Sequence, residues 1–335
     1  MEKVVPVTVF AGTGYYVPDR VVTNEELTQY MDTSDEWIVE RTGITERRWV
    51  SDGMSGAEMA RRASVMALEA AEMRADEIDA IVLATLSPDH FFPGTGVFLQ
   101  RELGLGTVPA LDIRAQCSGF VYGLSVADAW IRSGQFRNVL LVGVEIQSTG
   151  IDVSTRGRDI AVLFGDGAGA AVLTATEDAD RGVLSTRIHS DGRHAEVLWA
   201  EAASSRKNPR ISKEDIEAGR HYPTMEGRDV FKHAVTRMPE AVLEVLSAHG
   251  LEPSDIDLLI PHQANLRISQ MVQRRLGLPD EKVFNNIQSY GNTTAATIPI
   301  ALAEAVRAGR LGRGDLLALV AFGSGFTWGA SLIRW

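Results

Sequence analysis

Two stretches of this chain repeat one another: ALEAAEMRADEIDAIVLAT at residues 67–85 and VLEVLSAHGLEPSDIDLLIPHQ at residues 242–263. Each runs from a helical pattern through an acidic turn into an apolar strand, and superposing them sets Asp79 on Asp257. A second pair follows, WIRSGQFRNVLLVG at 130–143 and AVRAGRLGRGDLLALVAFG at 305–323, which sets Gly134 on Gly309 where a helix ends. The chain therefore reads as two similar halves, residues 1–175 and 176–335, joined near 174–182. Carried forward, the second register brings Cys117 onto Asn292, so unlike polar residues occupy matching places in the two halves.

Around these repeats, β-rich runs at 7–10, 80–83, 139–142, 258–260 and 316–320 alternate with longer helical patterns. That alternation predicts an α/β fold with parallel strands. Residues 199–225, rich in Lys, Arg, Ser and Glu, lack apolar periodicity and read as an exposed excursion of the second half.

The 335 residues suffice for two domains or one large double unit, and 45% hydrophobic with 23% charged residues is a globular composition. With 33 basic against 44 acidic side chains the net charge is -11, which argues against a nucleic-acid or anionic-membrane partner, because both need clustered Lys and Arg. One cysteine forbids an intrachain disulfide and fits a reducing cytoplasm. No run approaches the roughly 20 apolar residues of a membrane span, so a soluble, intracellular protein is expected.

That cysteine, Cys117 in PALDIRAQCSGFVYGL, lies where a β-like run gives way to a small-residue helix. A sulfur at a helix N-terminus is expected to ionise near neutrality, although a lone cysteine also serves as a small buried hydrophobe. His262, in DIDLLIPHQANLRI, follows an apolar strand, the edge where α/β active sites gather. Asn292, in SYGNTTAATIP, fits either a site residue or an ordinary helix N-cap. The glycine-rich turns FGDGAGAAVL (164–173) and FGSGFTWGASL (322–332) have neither the spacing of a dinucleotide turn nor the Lys of a phosphate loop. Close backbone approach or an exposed amide donor is the use expected of them. Arg267, Arg274 and Arg275 occur in a stretch without acids, and the first two share a helical face opposite Ile268, Val272 and Leu276. That face fits an anion or an acidic protein, or is simply solvated.

DTSDEWIVERTGITERR, DIRAQCSGF, FGDGAGAAVL, PHQANLRI, YGNTTAATIP and AFGSGFTWGASL, in this order, resemble β-ketoacyl-acyl-carrier-protein synthase III of the thiolase-like condensing enzymes. The resemblance implies a five-layered αβαβα fold of two duplicated halves, a homodimer, and no metal or redox cofactor. It implies that Cys117 takes an acyl group from acyl-CoA. His262 and Asn292 would bind the thioester carbonyl of malonyl-acyl-carrier protein, stabilising the enolate left by decarboxylation, and the product would be a 3-oxoacyl chain initiating fatty-acid synthesis. The oxyanion hole would be the backbone amides of Cys117 and Ser324, the latter replacing a glycine. Trp37, Arg41 and Arg158 match coenzyme A contacts; Lys232, Arg267, Arg274 and Arg275 match carrier-protein docking; Phe92 matches the residue that reaches into the partner's primer pocket.

Gln116, in place of a small residue, and the turn STRGRD at 154–159 depart from the fatty-acid-initiating pattern, and LSPDH with DIRAQCSG is similar to relatives making quinolone signals. The competing expectations are a specialised-metabolite condensing enzyme or acyltransferase with a quinolone-type or polyketide starter, a papain-like cysteine hydrolase, and a non-catalytic subunit of the same fold.

Overall fold

The computed structural model describes residues 5–335, so positions 1–4 of the first half lie outside the described residues. β1 (Val7–Tyr16) leads into a small hairpin of β2 (Val21–Thr23) and β3 (Glu46–Arg48), which encloses α1 (Asn24–Leu27) and α2 (Asp35–Thr42). There follow α3 (Gly56–Ala70), β4 (Ala80–Ala84), α4 (Thr95–Glu102), β5 (Ala110–Ile113), α5 (Gly119–Arg132), β6 (Asn138–Glu145), α6 (Arg158–Ala161) and β7 (Gly167–Thr176). The chain continues through β8 (Gly182–Ser190), β9 (Leu198–Trp199), α7 (Lys213–Glu217), β10 (Thr224–Met225), α8 (Gly227–Ser247), β11 (Leu258–Pro261) and α9 (Leu266–Leu276). It ends with α10 (Ile287–Tyr290), α11 (Thr297–Arg307), β12 (Leu316–Gly323) and β13 (Thr327–Arg334).

Two sheets carry the fold, ordered β1-β7-β6-β4-β5 and β8-β13-β12-β11. Corresponding strands hold corresponding places, and Leu259 bridges Val283 in parallel where β4 pairs with β5. The repeat is thus present in the topology. The sheets are mixed, however, not parallel: β4 runs parallel to β5 and β6, and β11 to β12, but β7 and β13 return antiparallel. Only residues 324–326 join β12 to β13, too few for the crossover that a parallel neighbour requires.

Side chains alternate along these strands and so sort into layers. Ile81, Leu83, Leu140 and Val142 pack outward against Met59, Ala63 and Ala67 of α3, whereas Val82, Val139 and Leu141 turn inward. Inside they meet Phe120, Val121 and Leu124 of α5, Ile298 and Leu302 of α11, and Leu258, Leu317 and Leu319 from the second sheet. Leu316, Ala318 and Val320 face out onto Val242 and Val245 of α8 and Val272 of α9. The order is therefore helix, sheet, central helices, sheet, helix. Among the described residues no helix is long and apolar enough to cross a membrane.

The 199–225 excursion is held by polar and apolar contacts together, with Ala202 buried and Met225 packed against the cluster around Ile38 and Ile151. Its ends pair as β9 and β10, and the buried Asp215 accepts from Lys207 and Arg220 at 2.9 Å each.

Candidate active site

Cys117 lies in a tight turn, residues 116–118, between β5 and α5. Gln116 before it has φ 43°, and Gly291 before Asn292 has φ 64°, so the matched positions share a left-handed backbone. At Gln116 that conformation costs on the order of 1–3 kcal/mol, which the surrounding packing must offset. The Ser118 hydroxyl donates to the Thr327 carbonyl at 2.9 Å, and the Thr327 hydroxyl donates to that of Ala115 at 3.3 Å. These bonds lash the turn to the start of β13. A Cβ on Gly323 would stand 2.7 Å from Cys117 Cβ and 3.2 Å from its sulfur, so this approach requires glycine.

The backbone amides of Cys117 and Ser324 both draw the sulfur toward its charged form. The Ser324 hydroxyl turns away and donates to the Leu198 carbonyl in the excursion, so the serine leaves the amide in service. Ionisation near neutrality is not what the structure shows. Burial, reinforced by the charge of Glu145, pushes the thiol up to about 12 against the pull of the two amides. A three-residue turn beneath a sheet desolvates the sulfur more than its two amides compensate.

His262 follows β11 and its amide donates to Val320 O at 2.7 Å. Its Nδ1 lies 2.6 Å from Thr297 Oγ1, while Nε2 is buried without a partner. Burial pushes the imidazole down to about 3, so it is neutral. Asn292 is not a helix N-cap. Its peptide group bridges Leu163 O and Gly165 N at 2.7 and 3.1 Å, and its Oδ1 accepts from Thr294 N at 2.8 Å. That assignment leaves Nδ2 as the free donor of the amide. A Cβ on Gly165 would stand 2.2 Å from Tyr290 O, so this glycine-rich turn serves backbone approach, as expected.

The turn carrying Thr294 and Ala295 packs on the cysteine turn; a Cβ on Gly119 would touch Ala295 Cβ at 3.3 Å. The structure thus brings the Cys117, His262 and Asn292 segments together. It adds Glu145, which the sequence reading missed. This fully buried carboxylate at the end of β6 accepts from Ser87 Oγ at 2.6 Å and Leu86 N at 3.1 Å. A single acid closing an apolar strand was the only signal available.

Trp37, on α2, lies between two guanidinium groups, with Arg41 4.4 Å and Arg158 4.5 Å from its ring centre. Arg158 is fixed by donating to Asp32 O at 2.7 Å. Asn265, the N-cap of α9, donates to Arg41 O at 2.9 Å and so joins this cluster to the arginine helix. Ile268, Val272 and Leu276 are buried while Arg267 and Arg274 are exposed, as the spacing predicts. Lys232 is exposed on α8, and Arg275 is pinned to that helix through Val235 O at 2.8 Å. Phe92 is 81% exposed, beside Phe91 whose ring lies under Arg210. Among the described residues no group of three or more His, Cys, Asp or Glu could hold a metal.

Two family descriptions match the chain: 3-oxoacyl-[acyl-carrier-protein] synthase III over residues 111–192, and its C-terminal part over residues 246–335. The β-ketoacyl-[acyl-carrier-protein] synthase III of Rhodospirillum centenum is 47% identical over 331 residues, 98% of this chain and 99% of that protein. The crystal structure of 3-oxoacyl-[acyl-carrier-protein] synthase III from Aquifex aeolicus VF5 superposes with a TM-score of 0.90 at 45% identity, covering 98% of this chain and 100% of that one. A priming β-ketosynthase from the R1128 polyketide biosynthetic pathway superposes with a TM-score of 0.89 at 33% identity, covering 98% and 96%.

Proposed function

Because the chain belongs to the 3-oxoacyl-[acyl-carrier-protein] synthase III family of thiolase-fold condensing acyltransferases, we propose that it joins an acyl-CoA primer to malonyl-acyl-carrier protein, starting fatty-acid synthesis, through an acyl group on Cys117. One observation carries the assignment of roles: the turn bearing Cys117, where a Cβ on Gly323 would stand 3.2 Å from the sulfur, packs against the segment bearing Asn292 and Thr297, and the amides of Cys117 and Ser324 both favour the charged sulfur. Two amides so placed can bind the oxyanion formed when the thioester carbonyl is attacked.

Thr297 Oγ1 has one proton and donates it to Thr294 O at 3.0 Å, so it accepts from His262 Nδ1. Nε2 then holds a lone pair that takes the Cys117 proton as sulfur attacks the primer, the thioester carbon–sulfur bond breaks, and coenzyme A leaves as a thiolate that takes its proton from water. Now protonated, Nε2 joins Asn292 Nδ2 in donating to the malonyl thioester carbonyl. Carbon dioxide departs, the enolate carbon attacks the acyl carbonyl, the carbon–sulfur bond breaks, and Cys117 recovers its proton. Electrons stay within these bonds, so the reaction calls for no redox cofactor, and the amide and imidazole donors supply the charge stabilisation that would otherwise fall to a metal.

Trp37, Arg41 and Arg158 suit a nucleotide with phosphates, and Lys232, Arg267, Arg274 and Arg275 suit an acidic carrier protein. The outward Phe92 supports a homodimer in which it enters the partner's primer pocket, and the lone cysteine supports a cytoplasmic setting. Family membership sets aside the papain-like hydrolase, and the retained Cys117, His262 and Asn292 argue against a non-catalytic subunit.

Incubation with a panel of acyl-CoAs, read by intact mass, should show one acyl adduct that is absent from Cys117→Ala. Labelling that persists in that variant removes the nucleophile assignment, and the adduct's mass identifies the starter.

A further inference from the structure

Glu145 is a buried carboxylate that no cation answers among the described residues. Glu145 receives hydrogen bonds from five donors: Thr85 Oγ1, Leu86 N, Ser87 N, Ser87 Oγ and Gln147 Nε2. None belongs to a basic side chain. Gln147 also donates to Thr294 Oγ1 at 2.9 Å, and the Thr294 carbonyl accepts from Thr297, the neighbour of His262. A continuous polar chain therefore runs from Glu145 to the imidazole. On its other side, Ser87 Oγ accepts from Ile146 N at 2.9 Å, so the carboxylate also fixes the turn that leads toward Phe91 and Phe92.

We propose that Glu145 is a positioning residue whose buried negative charge opposes the negative charge that Cys117 takes on, while its hydrogen bonds hold the turn that orients His262 and Asn292. The inference rests on Cys117 being the nucleophile. The titratable groups facing this region are Cys117 from the 116–118 turn, His262 through Thr297, and Asp166, which accepts from Gln147 N at 2.6 Å and Ser148 N at 2.9 Å. Burial pushes Glu145 up to about 7, so the opposing charge itself changes near neutrality. In the resting enzyme the sulfur stays a thiol, which is the form that resists oxidation and adventitious alkylation. A bound thioester then meets a thiol that ionises only as His262 Nε2 takes its proton.

The test is the rate of Cys117 alkylation by iodoacetamide, followed by intact mass from neutral to alkaline pH in the full chain. Glu145→Gln should move the profile down by about one pH unit, and Glu145→Asp, which keeps the charge, should return it toward the parent. A Glu145→Gln profile that superimposes on the parent overturns the inference, as does an equal displacement in both variants. If Glu145→Gln does not fold, the parent's own profile serves: its alkylation rate should climb less steeply through about pH 7, where Glu145 gains its charge, than above it, and a uniform slope overturns the inference. Failure of Cys117 to react with either an acyl-CoA or iodoacetamide condemns the nucleophile assignment instead, so the two failures are distinguishable.

Discussion

Thr297 fixes the tautomer of His262: its hydroxyl lies 2.6 Å from Nδ1 and commits its own proton to Thr294 O at 3.0 Å. Removing that oxygen frees the ring to protonate at Nε2 and leaves a buried Nδ1 without a partner. Thr297→Val should therefore slow condensation by about 10- to 100-fold, the range of one lost buried hydrogen bond. Thr297→Ser, which restores the oxygen, should recover most of the rate. Separate assays of primer transfer and carbon dioxide release will show which half-reaction falls; a Val variant at parental rate rejects the role.

Two buried groups give acid stability opposite slopes. His262 is held below its ordinary value, so the stability of its neutral form is present above about 6.5 and is lost as pH falls toward about 3. Glu145 is held above its ordinary value, so its contribution is full below about 4.5 and is lost as pH rises through about 7. For Glu145 this amounts to roughly 3 kcal/mol. Denaturant unfolding of Glu145→Gln beside the parent should show a stability difference that shifts in favour of the parent as pH is lowered from 8 to 5. A difference independent of pH contradicts the burial argument.

Arg267 is exposed on α9, two residues from the Asn265 bond to Arg41. Arg267→Glu should raise the KM for the malonyl-carrier-protein substrate several-fold and increase its sensitivity to salt, with acyl transfer from CoA changed far less. Equal loss in both half-reactions refutes a carrier-specific role.

The Ser324 hydroxyl ties the Leu198 carbonyl to the loop whose amide reaches Cys117. Ser324→Ala should increase amide hydrogen exchange in the β9–β10 hairpin while leaving β12 protected. Unchanged exchange in the hairpin shows that the tie carries little weight.

The halves were legible because 67–85 and 242–263 each spell a helix, an acidic turn and an apolar strand, a local grammar that survives duplication. The strand direction was not. β7, GAGAAVLTAT, is buried on both faces along most of its length and shows no alternation, so nothing local distinguishes a return strand from a crossover. Likewise Cys117 and His262 could be singled out from their places at strand ends and Asn292 from the repeat register, whereas Gln116, legible only as a departure from the family pattern, gains its physical meaning from its φ. The thiol's resistance to ionisation depends on Glu145 and on burial beneath β12, neither of which a linear reading can weigh.

The central helices α5 and α11 share one core with strands from both sheets, and Thr327 bonds Ala115 across most of the chain. During synthesis the first sheet can close on α5, but the far side of that helix must wait, uncovered, until α11, β12 and β13 leave the ribosome. A nascent chain in that state exposes the face of α5 that carries Val121, which lies beside Gly329 of β13 in the finished fold, a surface suited to chaperones and prone to aggregation. Catalytic competence and completion of the fold consequently arrive in the same step, and neither half released alone has a finished site.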